Sequence, residues 1–473
     1  MNNNTTRQRK INKHIIQGNI NKTIWKLALP MTAGAVLFNL FSLVDLFFVG
    51  RLGHIAVAAL SVSGILLSII LMFAIGIAIG TTAMVARFIG IQDYDSADSV
   101  VFHTILISIA CWVIMALIGI FACEGLLRLF GVSAEVVIAA AEYLRINFIW
   151  SIFIFLFVGL NQALRGAGDV IVPLKVIIIA NIINIVLDPL FIFGWGIFPR
   201  MEVAGSAVAT VISRAAATFM LLFYMLMGRS ALHLHRRIYK LNFVLIRRMI
   251  RIGFYASLQV FLREVSLLFL LRLVSSFGVI TLAAFGIGSR LRMMALFPGI
   301  GMANTAAILI GQNMGAKQPR RATQVGWRVS QLYLLYMIPL AATFFIFAPQ
   351  LIRIFNSHPD IVRLGATFLR CLAVTFPFLA FSLILSRGIS GSGDSFAPAM
   401  ITGATQLAFC IPAAYFMVLF LRLGMNGIWI AVVTSDILQG ILFIYYFYTG
   451  AWQKYYYRHQ TDLTAYPLPE TDK

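Results

Sequence analysis

The chain has 473 residues, 60% of them hydrophobic and only 11% charged, with a mean hydropathy of +0.90. That balance excludes a soluble globular enzyme and places most of the chain in lipid. A net charge of +20 would suggest nucleic acid in a soluble protein; here it marks the cytoplasmic face of a membrane protein, and no nucleic-acid partner is expected.

The first 25 residues are polar and basic, with Arg7, Arg9, Lys10, Lys13 and Lys22 and no short apolar core followed by a cleavage site, so no signal peptide is expected. Apolar runs of spanning length then follow at about 27–49, 58–86, 100–122, 141–163, 170–197 and 205–227. A basic segment, 229–250, contains Arg229, Arg236, Arg237, Lys240, Arg247 and Arg248. Six more runs lie at about 252–275, 282–310, 326–348, 365–386, 397–420 and 427–449, before a tail with Lys454 and Arg458. The expected fold is therefore an all-α integral membrane protein of about twelve transmembrane helices. Its parts are a tail (1–25), a six-helix lobe (26–228), a linker (229–250), a second six-helix lobe (251–452) and a tail (453–473). Lysine and arginine crowd the two tails, the linker and the loop with Lys317, Arg320 and Arg321, whereas alternate loops are sparse. Both termini are thus expected in the cytoplasm, with these basic runs touching anionic lipid. His233 and His235 in "HLHRR" read as part of the solvated linker. Cys111, Cys123, Cys371 and Cys410 have no metal-ligand spacing and read as buried thiols.

The halves repeat. "RGAGDVIVP" (165–173) and "SGSGDSFAP" (390–398) align at a shift of 225, as do "GIQDYDSA" (90–97) and "GAKQPRRA" (315–322). "AGSAVATVIS" (204–213) and "NGIWIAVVTS" (426–435) align at 222 after a slip in one loop. Six helices per repeat is an even number, so the two repeats share an orientation and are expected to be related by a pseudo-two-fold along the membrane normal. The glycines of the paired loops allow a tight turn, and each aspartate is placed to cap the next helix.

Charge inside the apolar runs is rare and therefore informative. Within "NIINIVLDP" (181–189), Asn181, Asn184 and Asp188 are spaced three and four apart, on one helical face. Asp45 lies near the outer end of the first helix, Asp188 and Asn184 in the outer half of the fifth, and Thr210 a little over one turn into the sixth. These four oxygen-bearing side chains fall at similar depth and form a candidate cage for a hard cation or a proton. Asn181 reads as a packing residue. The second half lacks this set: the shift carries Asp45 to Leu270, and the segment facing Asp188 reads "CIPAAYF". It has instead Glu264 in the seventh helix, between Arg263 and Arg272, and Asp436 in the twelfth.

No GxxxxGK[ST] occurs and no catalytic constellation is visible, which points to a secondary transporter rather than an enzyme or an ATP-driven pump. "KLALPMTAG", "VDLFFVGRLG", the paired "RGAGD"/"SGSGD" loops, "GQNMGAKQPRRA" and "LDPLFIFG" together resemble the MATE family of multidrug and toxic-compound extrusion transporters, from about Lys26 to Gly450. "NIVLDP" is most similar to the DinF-like and NorM-like bacterial branches. The resemblance implies two six-helix lobes in an inner membrane, exporting cationic or amphipathic organic compounds in exchange for Na⁺ or H⁺. It implies a first-lobe coupling site at Asp45, Asn184, Asp188 and Thr210, and a coupling or substrate role for Glu264; Asp436 is a further candidate. No cofactor beyond the coupling ion is implied, and the protein is expected to be monomeric, with drug-like molecules and membrane lipid as its partners. The rival function is a flippase for a lipid-linked saccharide or cell-wall precursor, whose pyrophosphate would call for arginines; Arg214, Arg263, Arg272, Arg290 and Arg292 are the available ones.

Overall fold

A computed structural model describes residues 15–228, 230–232 and 240–458. The expectations for Arg7, Arg9, Lys10, Lys13, Arg229, His233, His235, Arg236 and Arg237 lie outside the described residues. The elements are all helical: α1 Ile20–Val49, α2 His54–Ile91, α3 Tyr94–Phe121, α4 Cys123–Arg128, α5 Ala134–Ile149, α6 Ile152–Gly166, α7 Ile171–Phe193 and α8 Glu202–Leu226. They continue as α9 Phe243–Ser275, α10 Val279–Gly315, α11 Pro319–Ile346, α12 Ala348–Arg353, α13 Pro359–Gly391, α14 Phe396–Thr402, α15 Cys410–Leu419, α16 Met425–Tyr448 and α17 Ala451–Arg458. A π-helix, Gly403–Phe409, joins α14 to α15.

Ten described helices are long and apolar enough to cross a membrane, and α5 with α6, bent by 49°, makes an eleventh crossing if counted as one. The expected twelfth is α9. It has 33 residues, length enough to span, but Arg251, Arg263, Glu264 and Arg272 interrupt its apolar run. Prolines sit inside α1, α7, α10, α11 and α13, a distribution tolerated where neighbouring helices satisfy the freed carbonyls.

The helices form two compact units. One contains residues 15–19 and Leu29–Gly253; the other contains Ile20–Ala28 and residues 254–458. The start of α1 thus belongs to the second unit and the start of α9 to the first, an exchange that obeys the 225-residue shift. In the second unit Arg328 Nε donates to Asn21 Oδ1 at 2.7 Å. In the first, α9 crosses α2 through glycines: a Cβ on Gly253 would lie 2.7 Å from the Gly76 carbonyl oxygen, and one on Gly80 would lie 2.7 Å from that of Met249. Only a missing side chain permits this approach. Gly253→Val is expected to cost ~1–3 kcal/mol by overpacking and to lower the melting temperature and membrane yield of the protein; an unchanged melt would show that the close crossing is dispensable.

The repeat is visible atom by atom at the paired loops. Gly168 (φ 88°) and Gly393 (φ 101°) occupy the left-handed region that a glycine tolerates without strain. Asp169 accepts from the Val172 N–H at 3.3 Å and Asp394 from the Ala397 N–H at 3.2 Å, so each caps the following helix. Their other oxygens accept from Tyr224 at 3.0 Å and Tyr446 at 2.6 Å, tyrosines separated by the same 222 positions that relate the sixth and twelfth spans. The core of the first unit packs Leu66, Ile70, Leu144, Phe148 and Phe155. The second unit stacks Phe285, Phe368 and Trp429, with Phe368 and Trp429 centroids 4.1 Å apart.

Candidate functional site

The apolar run of α7 fixes two polar side chains on one buried face. Asn184 and Asp188, one turn apart, are both fully buried, and Asn184 Nδ2 donates to Asp188 Oδ1 at 3.3 Å. The same amide reaches Thr210 Oγ1 on α8 at 3.4 Å. The Thr210 hydroxyl is directed at the Asp45 carboxylate on α1, 3.3 Å from each oxygen. Asp45 and Thr210 are buried as well. All four residues singled out by depth therefore converge, on three helices of one unit.

The two carboxyl groups lie within hydrogen-bonding reach of each other, so they repel unless a proton or cation lies between them. Asn184 Oδ1 and Asp188 Oδ2 are buried and accept no hydrogen bond from any described residue. Ser206 stands beside Asp45, and Arg214 and Tyr143 lie within electrostatic reach of it. The donors are all oxygen, with two carboxyls, a carboxamide and hydroxyls; that chemistry fits a hard cation or a proton and offers nothing to a soft metal. Two aspartates and one arginine leave the pocket a formal charge of about −1, which a single monovalent cation or a single proton balances.

The other candidates lie elsewhere. Asn181 Nδ2 bonds to the Ile177 carbonyl of its own helix at 2.9 Å, a local contact outside the cluster. Glu264 pairs with its neighbour Arg263 at 3.5 Å, on a side of α9 where both side chains are more than half exposed. Asp436, on α16, is buried against Arg292 at 2.8 Å.

Three members of the pocket escaped the sequence reading: Ser206, Tyr143, and Arg214, which the sequence offers only as an arginine for the rival function. Ser206, Thr210 and Arg214 recur every four residues along α8, so the spacing that marked α7 also marks this face. Tyr143 enters from α5, beyond the bend between α5 and α6, and nothing in its local sequence points to a pocket.

The MatE family model matches this chain twice, over residues 30–190 and 256–416, once in each half. The probable multidrug resistance protein NorM of Thermotoga maritima is 27% identical over 439 residues, 92% of this chain and 94% of that protein. The probable multidrug resistance protein YoeA of Bacillus subtilis is 27% identical over 442 residues, 91% and 95% of the two chains. A crystal structure of a MATE protein in a bent conformation superposes with a TM-score of 0.87 at 24% identity, covering 94% of this chain and 99% of that one. The repeated match, full-length relatives and shared helical architecture agree with the two-fold internal repeat: this multi-pass membrane protein belongs to the MATE family, whose members are transporters and not enzymes.

Proposed function

We propose that the chain is a secondary multidrug antiporter of a bacterial inner membrane, exporting amphipathic organic compounds, cations among them, in exchange for Na⁺ or H⁺. The observation that carries the reading is the buried oxygen cage of Asp45, Asn184, Asp188 and Thr210 with its single uncompensated negative charge. The names of the two relatives, both multidrug resistance proteins, support the substrate class. In this reading the inward-moving cation loads the pocket and favours one arrangement of the helices, while substrate favours the other; transport follows from the difference in affinity between them. The basic tails and loops orient both termini to the cytoplasm, and the protein works as a monomer. The flippase reading loses one of its arginines, because Arg214 serves the acidic pocket.

The test is ethidium efflux from proteoliposomes with the Na⁺ and pH gradients imposed one at a time. One gradient is expected to drive efflux and, when collapsed, to stop it. Efflux that ignores both gradients would sink the antiport mechanism.

A further inference from the structure

The shift of 222 that aligns "AGSAVATVIS" with "NGIWIAVVTS" also sets the next residues, Arg214 and Asp436, at one repeat position. Both are intramembrane charges, and their signs are opposite. In the first unit Arg214 serves an acid, Asp45. In the second, Asp436 serves an arginine: one carboxylate oxygen takes Arg292 Nη2 at 2.8 Å, and the other accepts from Gln406 Nε2 at 3.1 Å. The polarity of the two units is inverted at repeat-related places.

The second unit builds on that inversion. Gln406 belongs to the π-helix, a deviation that often marks functional sites. Its amide also reaches Gln439 at 3.0 Å; Gln439 and Gln259 both donate to the Thr402 hydroxyl, and Gln259 donates to Ser386 at 2.9 Å. This chain of bonds ends beside two further cations. Arg263, one turn from Gln259, already pairs with Glu264 at 3.5 Å, and Arg387 is next to Ser386; the two guanidiniums lie within electrostatic reach of each other. Arg387 has no carboxylate partner among the described residues.

Exposure decides what these charges face. The Asp436 side chain is 2% exposed, whereas Arg292 is 25% exposed, so the acid holds the guanidinium in place and leaves part of it open. The Arg263 side chain is 60% exposed, about halfway along its span, where contact with hydrocarbon is prohibitive. A charged face there, with Arg263 and Glu264 paired on it, suits water or a ligand better than lipid tails.

We infer that the second unit carries an anion-binding subsite for the acidic group of an amphipathic substrate, a track running from Arg292 along the Gln406, Gln439 and Gln259 bonds to Arg387, the one guanidinium of the set with no carboxylate partner among the described residues. The group is a carboxylate or phosphate, which an arginine held in one orientation recognises through paired N–H donors. The inference rests on the transporter reading and sets the kind of charge its substrates carry: acids and zwitterions are preferred over simple cations of the same shape.

The test uses matched fluorescent pairs and the full-length protein in nanodiscs, with binding read by anisotropy. Rhodamine 19 differs from rhodamine 6G by a free carboxyl in place of an ethyl ester, and flavin mononucleotide differs from riboflavin by a phosphate. The acidic member of at least one pair is expected to bind about tenfold more tightly, and the pair that shows the preference tells carboxylate from phosphate. Arg387→Gln, and the double variant Arg292→Gln/Asp436→Asn that leaves no unpaired buried acid, are expected to lower the acid-to-neutral affinity ratio severalfold. Equal affinities within both pairs, or variants that weaken both members alike, would overturn the subsite. Ethidium efflux separates this from the reading beneath it: gradient-driven efflux with no acid preference removes the subsite alone, and acid preference without gradient-driven efflux removes the antiporter alone.

Discussion

Asp188→Asn is expected to abolish gradient-driven efflux while the protein still inserts and accumulates. The replacement is isosteric and keeps an oxygen facing Asn184, so the helix contacts of α7 with α1 and α8 survive. What changes is charge. The pocket goes from about −1 to neutral, since Arg214 then balances Asp45 alone, and neither a proton nor a monovalent cation has a reason to enter. Removing the carboxylate that a buried cation pairs with costs on the order of 3 kcal/mol, more than a hundredfold in cation affinity. The measurement is ethidium resistance in cells and efflux from vesicles, with membrane level and melting temperature as controls. Wild-type resistance in cells carrying the variant would remove Asp188 from the mechanism.

Much of this pocket was legible before any coordinates, and for a physical reason. An acid inside an apolar run is too costly to be incidental, and Asn184 and Asp188 share a face by their spacing alone. A fixed rise per residue then places Asp45 and Thr210 at the same depth without any tertiary information. The Gly/Asp loops were legible for the same kind of local reason: a turn that needs φ above zero at Gly168 and Gly393 and a cap at Asp169 and Asp394 is written in four residues. Side-chain partners set by helix rotation were not legible. Glu264 is bonded to Arg263, not to Arg272, because the two turns toward Arg272 carry the side chains apart. Asp436 finds Arg292 on a distant helix, a pairing no periodicity encodes. The π-helix around Gln406 was invisible too: the glutamine side chain bonds Asp436 and Gln439, partners 30 and 33 residues away that no local pattern encodes.

The inversion between the units makes the larger expected effect a failure of transplantation. Consider acids placed at Leu270 and at Ala413 within "CIPAAYF", the positions that the 225-residue shift assigns to Asp45 and Asp188, with Asp45 and Asp188 themselves changed to asparagine. The donors that complete the first-unit cage have no equivalents there: Asn184 corresponds to Phe409, and Thr210 to Val432. Leu270 is buried, so an acid at that position enters an apolar environment without the hydroxyl and amide that hold Asp45. The acid already native to this unit, Asp436, is held by Arg292 and Gln406 and is not free to take a cation. Arg292, within electrostatic reach of Cys410 one turn before Ala413, would compete for a new carboxylate there as an ion pair, which neither releases nor binds a proton over the transport cycle. The exchanged protein is therefore expected to show no gradient-driven efflux, at least a hundredfold below the parent chain, in the same proteoliposomes. Efflux at the parental rate would mean that either unit can host the coupling cation and that the asymmetry between them has no part in the mechanism.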